Sequence, residues 1–329
     1  MHHTHGALKQ FAEPMTNRAL RKKNLTVFAK LNIPEKLLLG FFAYLAMGTF
    51  FFPLDARQKL AVWVVNSMAV GVILSVNIYL SHIRHAFLRA IRPWIPSFFI
   101  LVAYRESGLF FTPDPSHRLD YFFIRFDNAI LRNPWVLQIL DRGAPWPQYY
   151  LELSYLLCYP IVPLGLASLY WVKTRAPRDS NPAGPAWEPA MEHFWTAVLM
   201  ASFTCYLLFP LFPLAPPREL FNDVPGPRVA PLLRSLNHWL LGKYSVGASL
   251  FPSAHVAATA AAALAIRRYL PRLGWLFVVV AMSIAIATVY GRYHYALDAV
   301  AGMLVGVSAY CVSCRLVTRK LRAGKGAVK

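Results

Sequence analysis

GRYHYALDAVAG, residues 291–302, sets an arginine, a histidine and an aspartate at the mouth of what otherwise reads as a hydrophobic helix. Charge in such a place is costly, so the meaning of this stretch depends on what surrounds it. The surroundings are apolar. Of the 329 residues, 57% are hydrophobic and 15% charged, and the mean hydropathy is +0.40, which places the chain in a membrane rather than among ordinary soluble domains. The net charge of +19 does not point to nucleic acid, because the basic residues fall in short clusters between apolar runs rather than along one stripe.

Apolar runs approach the ~20 residues that a bilayer core asks of a helix at 37–54, 60–81, 95–111, 148–172, 192–213, 253–269, 273–291 and 297–315. The expectation is an all-α, polytopic bundle of about eight transmembrane spans. Arg105 and Glu106 interrupt the third run, and the sixth is short and alanine-rich. Being adjacent, Arg105 and Glu106 point roughly 100° apart on a helix, so contacts to other helices suit them better than a mutual pair. RLDYFFIRFDNAILRNPWVLQIL, residues 118–140, alternates aromatic and polar residues at helical spacing and suits an amphipathic helix lying in the interface.

Under this layout 22 of the 34 Lys and Arg residues fall on one side and ten on the other. The positive-inside rule then puts both termini in the cytoplasm, with a bacterial inner membrane as the expected location. The polar, basic first 36 residues contain no cleavable signal peptide, and the histidines of MHHTH support no more than weak metal affinity at a disordered terminus. Cys158, Cys205, Cys311 and Cys314 lie in apolar runs and read as small hydrophobes without a disulfide. The Cys311/Cys314 pair lacks the partner ligands of a zinc or redox site. The basic tail from Arg315 onward suits anionic headgroups.

The same orientation sends APPRELF (215–221), FPSAHVA (251–257) and GRYHYALD (291–298) to one non-cytoplasmic side, where they can share a pocket. If the last span begins near His294, the four-residue step to Asp298 puts both side chains on one helical face. The carboxylate then takes one imidazole nitrogen and leaves the other free as a base or nucleophile. A His–Asp pair satisfying itself at a helix end is the plain alternative. Pro252 and Ser253 read as a helix start with Ser253 as N-cap. The free N–H groups and dipole of such a terminus seat an anion such as phosphate, beside which His255 can protonate a leaving oxygen. Arg218 and Arg292 offer guanidinium forks that match phosphate oxygens, although Arg218 can also snorkel to lipid headgroups. Tyr293 and Tyr295 flank the histidine as interfacial aromatics or pocket walls.

With these residues the chain resembles the type 2 phosphatidic acid phosphatase superfamily of membrane lipid phosphatases and phosphotransferases. Its second signature, P-S-G-H, is similar to PSAH at 252–255. Its third, S-R, five residues, H, three residues and D, is similar to ATVYGRYHYALD at 287–298. The resemblance implies a six-helix core, His294 as a nucleophile that forms a phosphohistidine, Asp298 as its orienter and His255 as general acid. It implies neither metal nor cofactor, in keeping with the absence of a carboxylate cluster suited to magnesium.

The departures are specific. Ala287 and Thr288 stand where the third signature has Ser-Arg, and Arg292 follows one helical turn later. Leu211 and Glu219 replace the lysine and proline of the first signature around Arg218. PPR and RYHYALD look more similar to the branch containing inositol phosphorylceramide synthases, which transfer a headgroup to an alcohol. Lys243 is a possible further substrate contact, though a solvated loop lysine is the simpler reading.

The organisation expected is a basic N-terminus (1–36), additional spans (37–91), a catalytic domain (92–315) and a basic tail (316–329). The function expected is transfer of phosphate from a lipid phosphate or phospholipid to water or an alcohol, within membrane lipids. A proton-coupled or anion transporter is the rival of another class. It asks for midplane polar residues and repeat symmetry between halves, whereas the ionisable residues here sit at span ends.

Overall fold

In the computed structural model of the chain, which describes residues 31–82, 90–111, 118–135, 138, 145–175, 187–212, 214–220, 231–249 and 251–326, every expected apolar run is helical. The segment MHHTH lies outside the described residues. The helices are α1 (Ile33–Gly48), α2 (Ala56–His82), α3 (Ile95–Ser107), α4 (Arg118–Leu131), α5 (Pro145–Leu156), α6 (Ile161–Arg175), α7 (Trp187–Leu208), α8 (Pro231–Tyr244), α9 (Ala254–Tyr269), α10 (Pro271–Tyr290) and α11 (Ala296–Gly326). A single turn, Pro217–Leu220, carries Arg218. Among the described residues the only extended pairing is one isolated bridge between Leu214 and Ser249.

Local chemistry sets the boundaries. Asn32 and Glu35 form a capping box, with Pro34 in the first turn, so α1 begins before the apolar run that marks it. Pro160 has no N–H to donate and disfavours helix in the residue before it. The expected 148–172 span accordingly breaks into α5 and α6, bent by 71°.

Among the described residues four helices are long and apolar enough to cross a bilayer, over Ala56–Tyr79, Pro189–Leu211, Pro271–Tyr290 and Ala296–Arg322, or five if α5 and α6 form one span. The remaining expected spans are helical but shorter than the layout of eight supposes. With 16, 13 and 16 residues, α1, α3 and α9 reach at most ~24 Å, less than the ~30 Å hydrocarbon core. For α9 the reason is position. Val256, Ala257, Ala260 to Ala263, Ala265 and Ile266 are all buried, so it runs through the middle of the bundle and needs no lipid-facing length.

In the core α9 packs against α7, α10 and α11, and α11 packs against α7 and α10. Small residues bring α11 against α9: a Cβ on Gly302 would lie 2.5 Å from the Ser253 carbonyl oxygen, and one on Gly306 2.5 Å from that of Ala257. This close approach of backbones, familiar between membrane helices, joins the two segments that hold the histidines. Helix α1 packs on α7 through stacked Phe41 and Phe203 rings, and its Glu35 takes Arg92 at 2.7 Å.

Within the expected 118–140 stretch the amphipathic helix is α4, which ends at Leu131. Tyr121, Phe122 and Phe126 are exposed, while Phe123 and Leu131 form a small cluster with Leu214 and Tyr295. Arg105 donates to the carbonyls of Tyr244 and Ser245, and Glu106 is buried. Both line a cavity of about 640 Å³ with Val65, Leu101, Val102 and Val246, beside α3 and apart from the histidines. Cys314, a free thiol, meets His193 of α7 at 3.3 Å.

Candidate active site

The chemistry-bearing residues gather where α9 and α11 begin and α10 ends. Ser253 caps α9, its side chain accepting from the Val256 N–H at 3.5 Å, and its own N–H donates to the Asp298 carbonyl at 3.0 Å. The N-terminus of α9, with His255 in its first turn, is thereby held against the first turn of α11. At the end of α10 the chain reverses. Gly291 N–H bonds to the Ala287 carbonyl, Arg292 takes the left-handed conformation (φ 58°), and the N–H groups of Tyr293 and His294 both return to the Thr288 carbonyl.

This turn corrects two expectations. His294 precedes α11 rather than riding on it, so its pairing with Asp298 does not come from a shared helical face. The turn delivers the imidazole, and Nδ1 lies 3.2 Å from Asp298 Oδ2. Arg292 likewise lies past the end of α10 and not one turn along its face, so it cannot refill the Thr288 position by helical periodicity. Arg292 is 9% exposed, two residues before His294.

Asp298 is fully buried, and its Oδ2 also accepts from Ser249 Oγ at 2.8 Å and the Tyr295 N–H at 3.2 Å. An ionised carboxylate can only accept, so the proton of the His294 pair belongs on Nδ1 and leaves Nε2 with a free lone pair. The His255 ring stands 6.0 Å from the His294 ring, edge to face at 71°. Tyr155 and Tyr159 pack edge-on against His255, and Tyr155 stacks on Tyr293 with centroids 3.8 Å apart.

Behind Tyr293 lies a polar network that spacing along the chain gives no hint of. Glu152 of α5, without solvent exposure, accepts from Arg234 Nη1 at 2.7 Å, from Asn237 Nδ2 at 2.9 Å and from the Tyr293 hydroxyl at 2.6 Å. Arg234 also donates to the Gly291 carbonyl at 3.2 Å, so the histidine turn is fastened to α5 and α8 together. Burial and the neighbouring Glu152 carboxylate push the Tyr293 phenol well above its usual range, which keeps it a donor. At the mouth, His238 lies edge-on to Tyr293. Burial, then the charges of Arg234 and Arg218, lower its pKa against the pull of Glu152.

Among the expected residues, His255, His294, Asp298 and Ser253 therefore come into one contact group, with Arg292 in the adjoining turn. Arg218 sits on its own turn near the mouth, its Nη2 3.8 Å from Glu219. Lys243 is exposed, with its ammonium 5.2 Å from the Trp239 ring. Sequence reasoning missed Glu152, Arg234, Asn237 and Ser249. A carboxylate inside the apolar run 148–172 was the available signal for the first. Among the described residues no three His, Cys, Asp or Glu side chains gather with the geometry of a metal site.

Comparison with known proteins gives the family. A PA-phosphatase related-family protein of Dictyostelium discoideum is 30% identical over 132 residues, covering 37% of this chain and 23% of that protein. The chain thus spans about a quarter of the length of that curated relative, and no solved structure matches. The family model of the PAP2 superfamily matches residues 123–312. That match takes in α4 through most of α11, more than half of the chain, and with it every residue of the histidine group: the chain belongs to the PAP2 superfamily.

Proposed function

We propose that this multi-pass membrane protein moves a phosphoryl group from a lipid phosphate through a phosphohistidine on His294. The observation that carries the reading is the pair of imidazoles 6.0 Å apart, one of them held through Nδ1 by a buried aspartate. His294 Nε2 attacks phosphorus, and the P–N bond forms as the bond to the lipid oxygen breaks. His255 gives its proton to that oxygen. In the second half His255 takes a proton from the acceptor, whose oxygen attacks phosphorus and expels His294 as the neutral imidazole. Asp298 stays ionised, fixes the tautomer and stabilises the imidazolium character that develops.

The phosphate oxygens have three sources of positive potential: the N-terminus of α9 at Ser253, Arg292 in the turn, and Arg218 at the mouth. Lys243, stacked on Trp239, has no part in this scheme. Residues 92–315 form the catalytic unit. The other end of the bundle carries Arg267, Arg268, Arg272, Arg315 and Arg319, which supports a site on the non-cytoplasmic side with both termini inside.

Water as acceptor makes a phosphatase. An alcohol makes a transferase, the reading favoured by the likeness of PPR and RYHYALD to the inositol phosphorylceramide synthase branch. The test is purified protein in detergent offered phosphatidate, prenyl phosphates and phospholipids, with and without inositol or other alcohols. Acid-labile, base-stable phosphate on His294 and its loss in His294→Asn are expected. Turnover by His294→Asn equal to that of the parent chain would refute the reading.

A further inference from the structure

Two carboxylates that this chemistry does not use stand out on α4. Asp120 and Asp127 are each 1% exposed, and seven residues apart on a helix they share one face, two turns from each other. Each accepts from a backbone N–H belonging to the site. Asp120 Oδ1 takes Ala215 N–H at 2.9 Å, and Ala215 begins the segment that leads to Arg218. Asp127 Oδ1 takes Ala296 N–H at 2.9 Å, and Ala296 is the first residue of α11, two after His294 and two before Asp298.

Tyr295 ties the two points together. It is fully buried, its hydroxyl donates to the Ala215 carbonyl at 3.0 Å, and its ring packs 5.4 Å from Phe123 of α4. Burying a carboxylate is expensive. Both are spent beside phosphate-handling residues, Asp120 on the Ala215 N–H and the Tyr295 side chain and Asp127 on the Ala296 N–H.

We propose that Asp120 and Asp127 are positioning residues of the transfer reaction. Asp127 sets the placement of His294 by fixing the first turn of α11, and Asp120 sets the approach of Arg218 by fixing Ala215. The proposal rests on the reading of His294 as nucleophile and Arg218 as phosphate ligand. Its signature is a split in kinetic parameters. Displacing Ala296 misplaces the nucleophile and lowers kcat, whereas displacing Ala215 withdraws a phosphate contact and raises KM. What matters is an acceptor oxygen in the right place rather than the charge. Asparagine at either position should therefore rescue function, and glutamate, which keeps the charge but moves the oxygen, should not.

The experiment uses the full chain in detergent, with dioctanoyl phosphatidate for kcat and KM, orthovanadate affinity as a lipid-independent probe, and thermal unfolding to certify folding. Asp127→Glu should lower kcat at least about tenfold, in line with the ~100-fold that a 1 Å misplacement can cost. Asp120→Glu should raise KM by about tenfold. Asp127→Asn and Asp120→Asn should stay within about threefold of the parent chain. Tyr295→Phe, which deletes one oxygen and leaves packing intact, should raise KM as Asp120→Glu does, and it decides the matter if the glutamate variants do not fold.

Parent-like kinetics and vanadate affinity in folded Asp127→Glu, Asp120→Glu or Tyr295→Phe would overturn the proposal, as would asparagine variants as impaired as the glutamate ones. His294→Asn runs alongside. If it loses turnover and vanadate binding while the α4 variants keep both, only the positioning role fails. If it keeps both, the catalytic reading itself fails.

Discussion

Replacing Gly302 by alanine puts one methyl group where α11 meets α9. The added carbon would lie 2.5 Å from the Ser253 carbonyl oxygen and 3.2 Å from Val256 Cβ. Carbon–oxygen contacts of this kind settle near ~3.3 Å, so the backbones must part by roughly 0.8 Å. No side chain can yield instead, because the obstructing atom is main chain. Ser253 is the N-cap of α9 and donates to the Asp298 carbonyl, while Asp298 orients His294. The separation therefore falls on the distance between the two imidazoles. A misplacement near 1 Å can cost about 100-fold, so kcat should drop by roughly 10- to 100-fold. The stability cost should be the ~1–3 kcal/mol of overpacking. Gly306→Ala is the matched control. Its Cβ would lie 2.5 Å from the Ala257 carbonyl oxygen and 2.9 Å from Ala260 Cβ, one turn further from the chemistry, so it should lower the unfolding temperature similarly and kcat less. Phosphate release and thermal unfolding of both variants decide it. Full turnover in Gly302→Ala, or equal loss of kcat in both variants, refutes the reasoning.

Three further outcomes follow from the polar contacts. Arg234→Met leaves the Glu152 carboxylate buried without its cation, which should cost about 3–5 kcal/mol, read as a lowered unfolding temperature that Glu152→Gln in the same chain restores. Arg292→Gly should relieve the roughly 1–2 kcal/mol of backbone strain that arginine carries at φ 58°, set against the loss of the contacts of a buried side chain. The same change should raise KM at least about tenfold through loss of the guanidinium fork, and an unchanged KM would remove Arg292 from phosphate binding. Asp127 is pushed up to about 7 by burial, with the neighbouring Asp298 charge adding to the rise and the Ala296 N–H opposing it. A carboxyl whose folded pKa is raised contributes stability that is complete below its unfolded pKa and is lost as pH rises through ~4 to 7. Asp127→Asn should therefore unfold at a higher temperature than the parent chain at pH 8, with the gap closing towards pH 4, and equal unfolding temperatures at pH 8 would show that the fold does not raise the Asp127 pKa.

The two histidines, Asp298 and Ser253 were legible in the sequence because each belongs to a short pattern with a local cause: a helix start at PSAH and a His–Asp step at the head of an apolar run. The cause assigned to the second was wrong in detail. A four-residue step suggested a helical face, whereas the contact is made by a turn whose N–H groups fold back on Thr288, and nothing in the spacing separates the two. Hydropathy gives the extent of an apolar run but not what covers it. An alanine-rich run such as α9 reads as a short span, and it is short because α6, α7, α10 and α11 pack around it, which hydropathy along one segment cannot register. The supporting residues were invisible because their partners are far away in sequence: Asp127 is 169 residues from Ala296, and Glu152 is 141 from Tyr293. On a one-dimensional reading Arg234 was only a charge to count for topology, and Asp120 and Asp127 were only the polar side of an amphipathic helix.

These misses share a physical signature. A polar or charged side chain inside a membrane bundle is tolerated when its hydrogen-bonding capacity is used, and here the partners converge on one short turn. Asp298 serves Ser249, His294 and Tyr295; Glu152 serves Arg234, Asn237 and Tyr293; Asp127 serves Ala296. The turn holds a left-handed arginine and an imidazole that must keep one nitrogen open, so it cannot satisfy itself by regular helix bonding. Its geometry has to be imposed from outside by three buried carboxylates on three different helices. The cost of charge at the mouth of an apolar helix is met when the charges hold still the one segment that periodic structure cannot.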